Sequence, residues 1–354
     1  MENILLLTLF FVYSFLLGFL LHKYLIGRSK TYNLQKANTT GERWEQQSKP
    51  IFGGITFYSL FVFSIINYLF LFGGDFFLSA TSIALVLIVT ISFFMGLADD
   101  LLNASPLFKF GMQLAVALIL IYFGIYIDLF VDSTLNYLLT IFWVVGIMNS
   151  INMLDNMDAV TTSSGLIILL FIGVLIGWNT PENMWYYLTI LVGTYASMGS
   201  FLIFNWNPSK MYMGDNGSQF LGAVLAAFSI LFIWNQPVTS QLHASLFRLV
   251  VLLVAFAMPL TDTATVSINR LLRGKSPFVG GKDHTTHYLS YAGLSDRKVA
   301  IVYIVGSVIS VSLAFVLTRY FPQASLTTLL LFLLWPVAVF SSLYSLTKII
   351  KPTK

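Results

Sequence analysis

Long apolar stretches recur along almost the whole of this 354-residue chain, and they constrain its fold more than any other feature. A helix that crosses a bilayer needs about 20 mostly apolar residues. Eleven stretches fit this description, at residues 3–25, 52–73, 78–98, 108–127, 134–151, 160–178, 184–204, 217–235, 244–269, 299–320 and 325–348. Only 10% of the residues are charged, whereas soluble domains average about 25%. We therefore predict an all-α polytopic membrane protein with about eleven transmembrane helices.

The spans leave no room for a sizeable soluble domain, so residues 1–354 are predicted to form one transmembrane domain. The chain has no cysteine, which excludes disulfide bonds and thiolate metal sites. Its net charge of +4 is weak evidence for an acidic partner, and no feature predicts nucleic-acid binding. The predicted surroundings are the lipid bilayer.

Lysine and arginine residues predict the orientation of the spans. Most lie in the loops 26–51 and 270–298, which fall on one side of the membrane if there are eleven spans. Lys109 and the basic C-terminal tail lie on the same side, whereas Arg319 is one of the few cations on the other. Short loops rich in lysine and arginine stay in the cytoplasm. The N-terminus is therefore predicted outside and the C-terminus in the cytoplasm.

The cytoplasmic ends of the spans also collect acids and amides. Three short segments hold them: Asp99-Asp100, Asn149 to Asp158, and Met213 to Ser218. A single acid of this kind is as well explained by a solvated loop, but five on one face require a reason. Clustered carboxylate and amide oxygens are hard ligands, which suit Mg²⁺ bound together with substrate phosphates.

Residue spacing strengthens this interpretation. Asn149, Asn152 and Asn156 are three and four residues apart, which places them on one face of a helix. Asp215 lies in a glycine-flanked turn where a span begins, and free backbone N–H groups at a helix N-terminus favour phosphate. Taken alone, the last segment is equally consistent with a simple Asp-Asn-Gly turn.

Five motifs occur in the order known from one enzyme family. They are Lys49 to Gly54, Gly96 to Asp100 with Lys109 and Gln113 after it, Asn149 to Asp158, Met213 to Ser218, and Arg273 to Phe278 followed by His284 and His287. Over most of its length the chain resembles the polyprenyl-phosphate N-acetylhexosamine-1-phosphate transferases. This group contains the phospho-MurNAc-pentapeptide translocase and the undecaprenyl-phosphate GlcNAc-1-phosphate transferases. The resemblance implies a multi-pass location in the bacterial cytoplasmic membrane.

Two departures from the family pattern are visible. Asn156 and Ala159 stand where glycines are usual, which leaves the local backbone shape to be determined. The histidine motif reads His284-Thr285-Thr286-His287-Tyr288 rather than the His-rich run of the pentapeptide translocase. This difference favours a simpler UDP-HexNAc as the sugar donor.

The resemblance implies that UDP-N-acetylhexosamine and undecaprenyl phosphate react to give the lipid-linked diphosphate sugar and UMP, with Mg²⁺ or alternatively Mn²⁺. It implies Asn152 and Asp215 as metal ligands and Asp99, Asp100, Asp155 and Asp158 as catalytic acids. The implied substrate-binding residues are Lys49, Lys109, Asn149, Asn156, Arg270, Arg273, His284 and His287. They belong to the cytoplasmic active-site loops 26–51, 99–108, 149–160, 205–217 and 270–298. A homodimer is a further expectation.

Some roles stay open at this level. Asp99 or Asp100 is a general base, an orienting group or a covalent nucleophile. A phosphate monoester has a second pKa of about 6, so a base is hardly needed at pH 7. Asp262 follows Pro259 in or near the ninth span. Such an acid is functional by default, or it pairs with an arginine such as Arg270.

Other functional classes fit less well. An ion-coupled transporter predicts ionisable residues near span centres, whereas those of this chain lie at span ends, apart from Asp262. The dense Asp motif of the CDP-alcohol phosphotransferases is absent from the sequence. The phospho-MurNAc-pentapeptide transferase of peptidoglycan synthesis remains the main alternative. The favoured reading is the first membrane step of a cell-envelope glycan pathway.

The orientation is testable because the chain has no cysteine. We expect single cysteines at Ser105 and at Ser276 to react with an impermeant maleimide from the same, cytoplasmic side, because positive loops are retained there. Right-side-out and inverted vesicles provide the comparison. Labelling of the two positions from opposite sides would show that the eleven-span topology is wrong.

Overall fold

The computed structural model describes residues 2–31, 49–73, 78–238, 243–277 and 281–351, and these residues are almost entirely helical. The helices are α1 (Glu2–Thr31), α2 (Gly53–Phe72), α3 (Ala80–Leu102), α4 (Pro106–Tyr122), α5 (Ser133–Leu154), α6 (Val160–Asn179), α7 (Met184–Asn205), α8 (Asp215–Ser229), α9 (Ala244–Ala255), α10 (Ala257–Leu272), α11 (Thr285–Tyr291), α12 (Asp296–Tyr320) and α13 (Leu326–Ile349). A π-helical turn, Ile230–Trp234, extends α8. The Lys30 side chain, Lys36, Arg43 and Phe278, which the sequence analysis invoked, lie outside the described residues.

The prediction of an all-α polytopic membrane protein is confirmed. Within the described ranges, nine helices are long and apolar enough to cross a bilayer. α9 and α10 together form a tenth span that is bent by 82°. α4 is a shorter apolar helix of 17 residues. Each of the eleven predicted spans therefore has a helical counterpart. The bend falls at Phe256, almost one turn before Pro259.

Several helices begin where short polar side chains satisfy free backbone N–H groups. Ser79, Ser105 and Ser325 each accept a hydrogen bond from an N–H in the first turn of α3, α4 and α13. Asp132 does the same for α5, with 2.7 Å between Asp132 Oδ1 and Thr134 N. These caps fix where the spans start.

α8 lies at the centre of the bundle. It packs against α3, α5 and α2, and every residue from Asn216 to Ser229 is buried. Its sequence combines apolar side chains with small ones all around the helix, which is the pattern of a helix enclosed by other helices. Because these helices surround α8, its N-terminus lies close to residues of several of them.

Glycines on the neighbouring helices allow a very close approach to the start of α8. A Cβ atom on Gly96 of α3 would overlap the backbone of Asp215, and one on Gly54 of α2 would overlap Asn216 and Gly217. Farther along α8, a Cβ on Gly222 would lie 2.8 Å from Met148 Cα. Only residues without a side chain fit at Gly54 and Gly96, so both lock the position of Asp215.

The loop before α8 is tied to the segment before α2. Tyr212 N donates to Pro50 O at 3.0 Å, and Gly53 N donates to Tyr212 O at 3.2 Å. Gly54 N donates to Met213 O at 3.2 Å. This short parallel pairing brings Lys49 to the same face as the start of α8.

We expect Gly96→Ala to destabilise the fold, because the added methyl forces α3 and α8 apart. Overpacking of this kind costs about 1–3 kcal/mol. The thermal midpoint in detergent should fall by several degrees, and hydrogen exchange at 214–218 should speed up. Gly146→Ala on α5 is the matched control, because its Cβ would have no atom within 4 Å. Equal midpoints for the two variants would contradict the close α3–α8 contact.

Candidate active site

A compact charged cluster lies where α3 ends, α4 begins and α8 begins. The Asp99 carboxylate is buried, and Lys109 Nζ lies 2.7 Å from Asp99 Oδ2. The Asp215 carboxyl adjoins Asp99, and the Asp100 carboxyl interacts electrostatically with both. Three carboxyl groups therefore share this space with one ammonium group.

Asp100 caps the start of α8 from a different helix. Its Oδ1 accepts a hydrogen bond from Asp215 N at 3.0 Å, and its Oδ2 accepts one from Asn216 N at 3.0 Å. Asn216 Nδ2 donates to the same Oδ2 at 2.6 Å. The local N-cap residue, Gly214, has no side chain to do this. Asp100 therefore satisfies the free N–H groups of α8 and holds Asp215 in place.

The two side chains that the sequence predicted as metal ligands are in direct contact. Asn152 Nδ2 donates to Asp215 Oδ1 at 2.7 Å and to Ser218 Oγ at 2.9 Å. Among the described residues, no three His, Asp or Glu side chains form a ready metal-binding group. The donors at this point are two carboxylates, of Asp99 and Asp215, and one amide.

Asp158 anchors the loop that leads into α8. Its Oδ2 accepts hydrogen bonds from Asn207 Nδ2 and Ser209 N, both at 3.0 Å, and its Oδ1 accepts one from Ser209 Oγ at 2.7 Å. Lys49 Nζ donates to the same Ser209 hydroxyl at 3.1 Å and lies 5.0 Å from the ring centroid of Tyr212. Asp158 and Lys49 thus meet on one loop.

Tyr212 is a site residue that the sequence analysis missed. Burial, followed by the charge of Asp158 and then that of Asp155, raises the pKa of Tyr212 to about 12. Its hydroxyl therefore stays protonated at neutral pH. Asp155 itself is half-buried at the C-terminal end of α5. Its place in the sequence could have indicated this role, since Tyr212 directly precedes the Met213–Ser218 motif.

The backbone at Ala159 keeps the shape that a glycine would adopt. Ala159 has φ 65°, in the left-handed region, although it carries a side chain. Asn205 Oδ1 accepts hydrogen bonds from Ala159 N at 3.0 Å and Thr162 Oγ1 at 2.9 Å. These bonds offset the strain, of about 1–2 kcal/mol, of a left-handed residue with a Cβ. The departure from the family pattern therefore leaves the turn intact.

Asn149 is engaged in a chain of amides rather than turned toward an open surface. Its Nδ2 donates to Gln113 Oε1 at 2.7 Å, and Gln113 Nε2 donates to Gln219 Oε1 at 3.2 Å. Both glutamines are buried. This chain joins α5, α4 and α8 just below the charged cluster.

Asp262 orients the histidine motif. His284 Nδ1 lies 2.8 Å from Asp262 Oδ2, and Thr285 donates to Asp262 Oδ1 through its N at 2.8 Å and its hydroxyl at 2.6 Å. The pairing of Asp262 with Arg270, one of the two roles considered from sequence, is wrong. Arg270 instead donates two hydrogen bonds to Asp283, at 2.9 and 2.6 Å, and one to Pro277 O at 2.7 Å.

Asp283 and Arg270 form a fixed ion pair that shapes the loop. Burial raises the pKa of Asp283, but the hydrogen bonds and charge of Arg270 outweigh it and hold that pKa below its usual range. The Arg270 guanidinium is therefore engaged by partners within the protein. Arg273, by contrast, lies exposed at the end of α10.

His287 carries an uncommitted ring nitrogen. Its Nδ1 is buried and has no hydrogen-bond partner. Burial, and then the neighbouring His284 charge, lowers the pKa of His287 to about 4, so the ring is neutral at pH 7. A donation from Thr286 Oγ1 to Asn156 Oδ1 joins the histidine motif to the end of α5. The histidine motif and the end of α5 therefore belong to one site.

Sequence comparison agrees with this geometry. Residues 82–233 match the sequence model of glycosyl transferase family 4, and that stretch contains the whole charged cluster. Over this stretch the chain is similar to glycosyl transferase family 4. Two further site elements, Lys49 and the histidine motif, lie outside the matched stretch.

The chain is also similar to proteins whose names state a reaction. It is 31% identical over 228 residues to a probable undecaprenyl-phosphate N-acetylglucosaminyl 1-phosphate transferase of Bacillus subtilis, covering 62% of this chain and 61% of that protein. It is 29% identical to a decaprenyl-phosphate N-acetylglucosaminephosphotransferase of Mycobacterium leprae, over 59% and 57% of the two chains. An Escherichia coli undecaprenyl-phosphate alpha-N-acetylglucosaminyl 1-phosphate transferase is 24% identical over 77% and 73%. The alignments thus span about three fifths of the first two relatives.

We expect Asp100→Ala to loosen the start of α8 specifically. Loss of a helix cap costs about 0.5–2 kcal/mol, and three donors lose their acceptor here. Thermal unfolding and site-resolved hydrogen exchange would measure this. Asp132→Ala removes a comparable cap from α5, so it should lower the midpoint without faster exchange at 214–218. Unchanged exchange at α8 in Asp100→Ala would contradict the capping role.

Proposed function

We propose that this chain transfers GlcNAc-1-phosphate from UDP-GlcNAc to undecaprenyl phosphate and releases UMP. The observation that carries the proposal is the Lys109–Asp99 ion pair beside the start of α8 at the end of a membrane span. A cation at the end of a membrane span would be able to meet a lipid phosphate at the bilayer surface, which supports the proposal. The names of the relatives from Bacillus subtilis and Mycobacterium leprae support the same reaction.

In the proposed reaction, an oxygen of the lipid phosphate attacks the β-phosphorus of the sugar nucleotide. The bond from that phosphorus to the bridging oxygen breaks, and UMP leaves with the electron pair. Lys109 would neutralise the lipid phosphate, and Asp99 holds Lys109 in position. Because the nucleophile is already mostly dianionic at pH 7, alignment and charge neutralisation do most of the work.

The oxygen donors fit a magnesium ion. Asp215 and Asp99 supply adjoining carboxylates, and Asn152 lies against Asp215. Three carboxyl groups clustered beside one ammonium would favour a divalent cation. Mg²⁺ typically takes one or two carboxylates together with water and substrate oxygens. Bound there, Mg²⁺ or Mn²⁺ would supply charge neutralisation on the diphosphate and on the departing UMP.

The other site residues have proposed roles that follow from their contacts. His287 and the exposed Arg273 would bind the sugar nucleotide, and His284, which Asp262 holds, lies beside His287. Asp155 and Tyr212 lie close enough for the charge of Asp155 to raise the pKa of Tyr212, which supports a role for both at the same site. Asp100, Asp158 and Arg270 act by positioning α8, the 205–214 loop and the histidine loop.

The alternatives have less support. The relatives' names specify N-acetylglucosamine, which favours this sugar over a MurNAc-pentapeptide. Asp262 is the acid that a transporter would use, but its carboxylate is already hydrogen-bonded to Thr285 and His284. We further propose the bacterial cytoplasmic membrane as the location, an early step of envelope glycan synthesis as the setting, and a homodimer as the assembly.

A panel assay tests the proposal. Purified chain in detergent would receive undecaprenyl phosphate, Mg²⁺ and UDP-GlcNAc, UDP-GalNAc, UDP-glucose or UDP-MurNAc-pentapeptide, with UMP release as the readout. We expect UDP-GlcNAc to be used best. Exclusive use of UDP-MurNAc-pentapeptide, or no UMP release with any donor while the protein stays folded, would overturn the proposal.

We expect Asp215→Asn to abolish UMP release with little change in thermal midpoint. The carboxylate is a proposed Mg²⁺ ligand, whereas the cap of α8 is supplied by Asp100. Asn152→Ala should lose less activity, and raised Mg²⁺ or added Mn²⁺ should restore part of it.

Asp132→Asn serves as the matched control for this test, since it removes an exposed carboxylate far from the cluster. Normal activity and an unshifted Mg²⁺ optimum in Asp215→Asn would exclude Asp215 as a ligand. A midpoint lowered by about the 0.5–2 kcal/mol of a lost cap would assign Asp215 a structural role instead.

We expect His287→Ala to lower turnover at least tenfold while leaving the fold intact, because its Nδ1 has no protein partner to lose. Measurement of UMP release against UDP-GlcNAc concentration would separate effects on KM and kcat. His243→Ala, on the far side of the bundle, provides the control. Unchanged kinetics for His287→Ala would remove it from the site.

A further inference from the structure

A cavity lies on the face opposite to the active site. α6 and α12 both start beside active-site segments and run to the other face, where they end at Asn179 and Tyr320. Between these ends and α9 lies a cavity of about 160 Å³. Nothing in the proposed reaction uses it.

Arg319 stands at this cavity without an ionic partner. Its guanidinium carbon lies 4.1 Å from the ring centroid of Trp178 and 5.6 Å from that of Tyr320. Within the described ranges it forms no ion pair and no hydrogen bond. The nearby Arg248 differs, since it donates to Gln236 O at 3.1 Å and to Asp128 O at 3.2 Å. Arg319 thus lies on the side of the membrane where the positive-inside rule predicts few cations. Among the described residues its guanidinium contacts aromatic rings and no acid.

Gln236 supplies a second unused donor at the same cavity. The residue is only 3% exposed, and its Nε2 has no hydrogen-bond partner. A buried donor without an acceptor is destabilising. A ligand with an acceptor oxygen would remove that destabilisation.

The rest of the lining is apolar. Leu175, Phe247 and Phe315 form part of the wall. Trp178 beside them is half-exposed, as aromatic residues are at the level of lipid headgroups. A ligand for this place therefore needs an anionic, acceptor-rich head and an apolar chain.

We propose that this cavity binds one anionic phospholipid of the outer leaflet. The phosphate contacts Arg319 and accepts from Gln236, and part of one acyl chain fills the apolar interior. A free phosphate ion satisfies the donors but leaves the apolar wall without a partner, so the lipid is the better match. The bound lipid would join the outer ends of α6, α9 and α12.

Native mass spectrometry of the full, delipidated chain tests this proposal. Phosphatidylglycerol and phosphatidylcholine with identical acyl chains would be titrated separately. We expect one tight phosphatidylglycerol site and about tenfold weaker retention of phosphatidylcholine. Arg319→Gln and Gln236→Leu should each weaken phosphatidylglycerol about tenfold. Lys298→Gln, an exposed charge at the other end of α12, should bind as the wild type does.

A third variant tests the cavity without removing a polar group. Val174→Trp would fill its mouth and should also weaken phosphatidylglycerol, with UMP release unchanged. Equal retention of the two lipids, wild-type binding by Arg319→Gln, or displacement of the lipid by millimolar inorganic phosphate would each overturn the proposal. Circular dichroism would confirm that each variant is folded.

Discussion

The rest of the site depends on the hydrogen bonds between the Asp100 carboxylate and the first turn of α8. α8 is buried on all sides, so its free N–H groups cannot turn to water, and Gly214 offers no side chain. A carboxylate from α3 takes their place. The same contact is possible only because Gly96 lets the two backbones meet. Helix capping and glycine packing thus set the position of Asp215 together.

The charged groups of the site are expensive at a membrane surface, and the structure arranges partners for most of them. Lys109 compensates Asp99, Arg270 compensates Asp283, and Thr285 with His284 satisfies Asp262. What remains are the clustered carboxyl groups of Asp99, Asp100 and Asp215 and the Nδ1 of His287, which has no hydrogen-bond partner. These remaining groups are concentrated where ligands are proposed to bind.

Sequence reasoning predicted the helices, because apolar run length is a local property. The pairing of Asn152 with Asp215 followed from the family resemblance, and the two side chains are in contact. Sequence reasoning could not tell a reacting acid from a positioning one. Asp99 and Asp100 are adjacent in sequence, yet only packing decides that Asp100 meets α8. Nor could it predict Tyr212, whose importance arises from carboxylates more than 50 positions earlier in the chain.

The 82° bend at Phe256 has a mechanical consequence. The histidine motif is attached to α10 through Asp262 and Arg270, whereas Asp215 belongs to the central helix. A change in the tilt of α9 would therefore reach the histidine motif through α10, a helix that runs in a different direction. Spanning helices adjust their tilt to the hydrocarbon thickness around them. Bilayer thickness would thus act on the histidine motif by way of this bend.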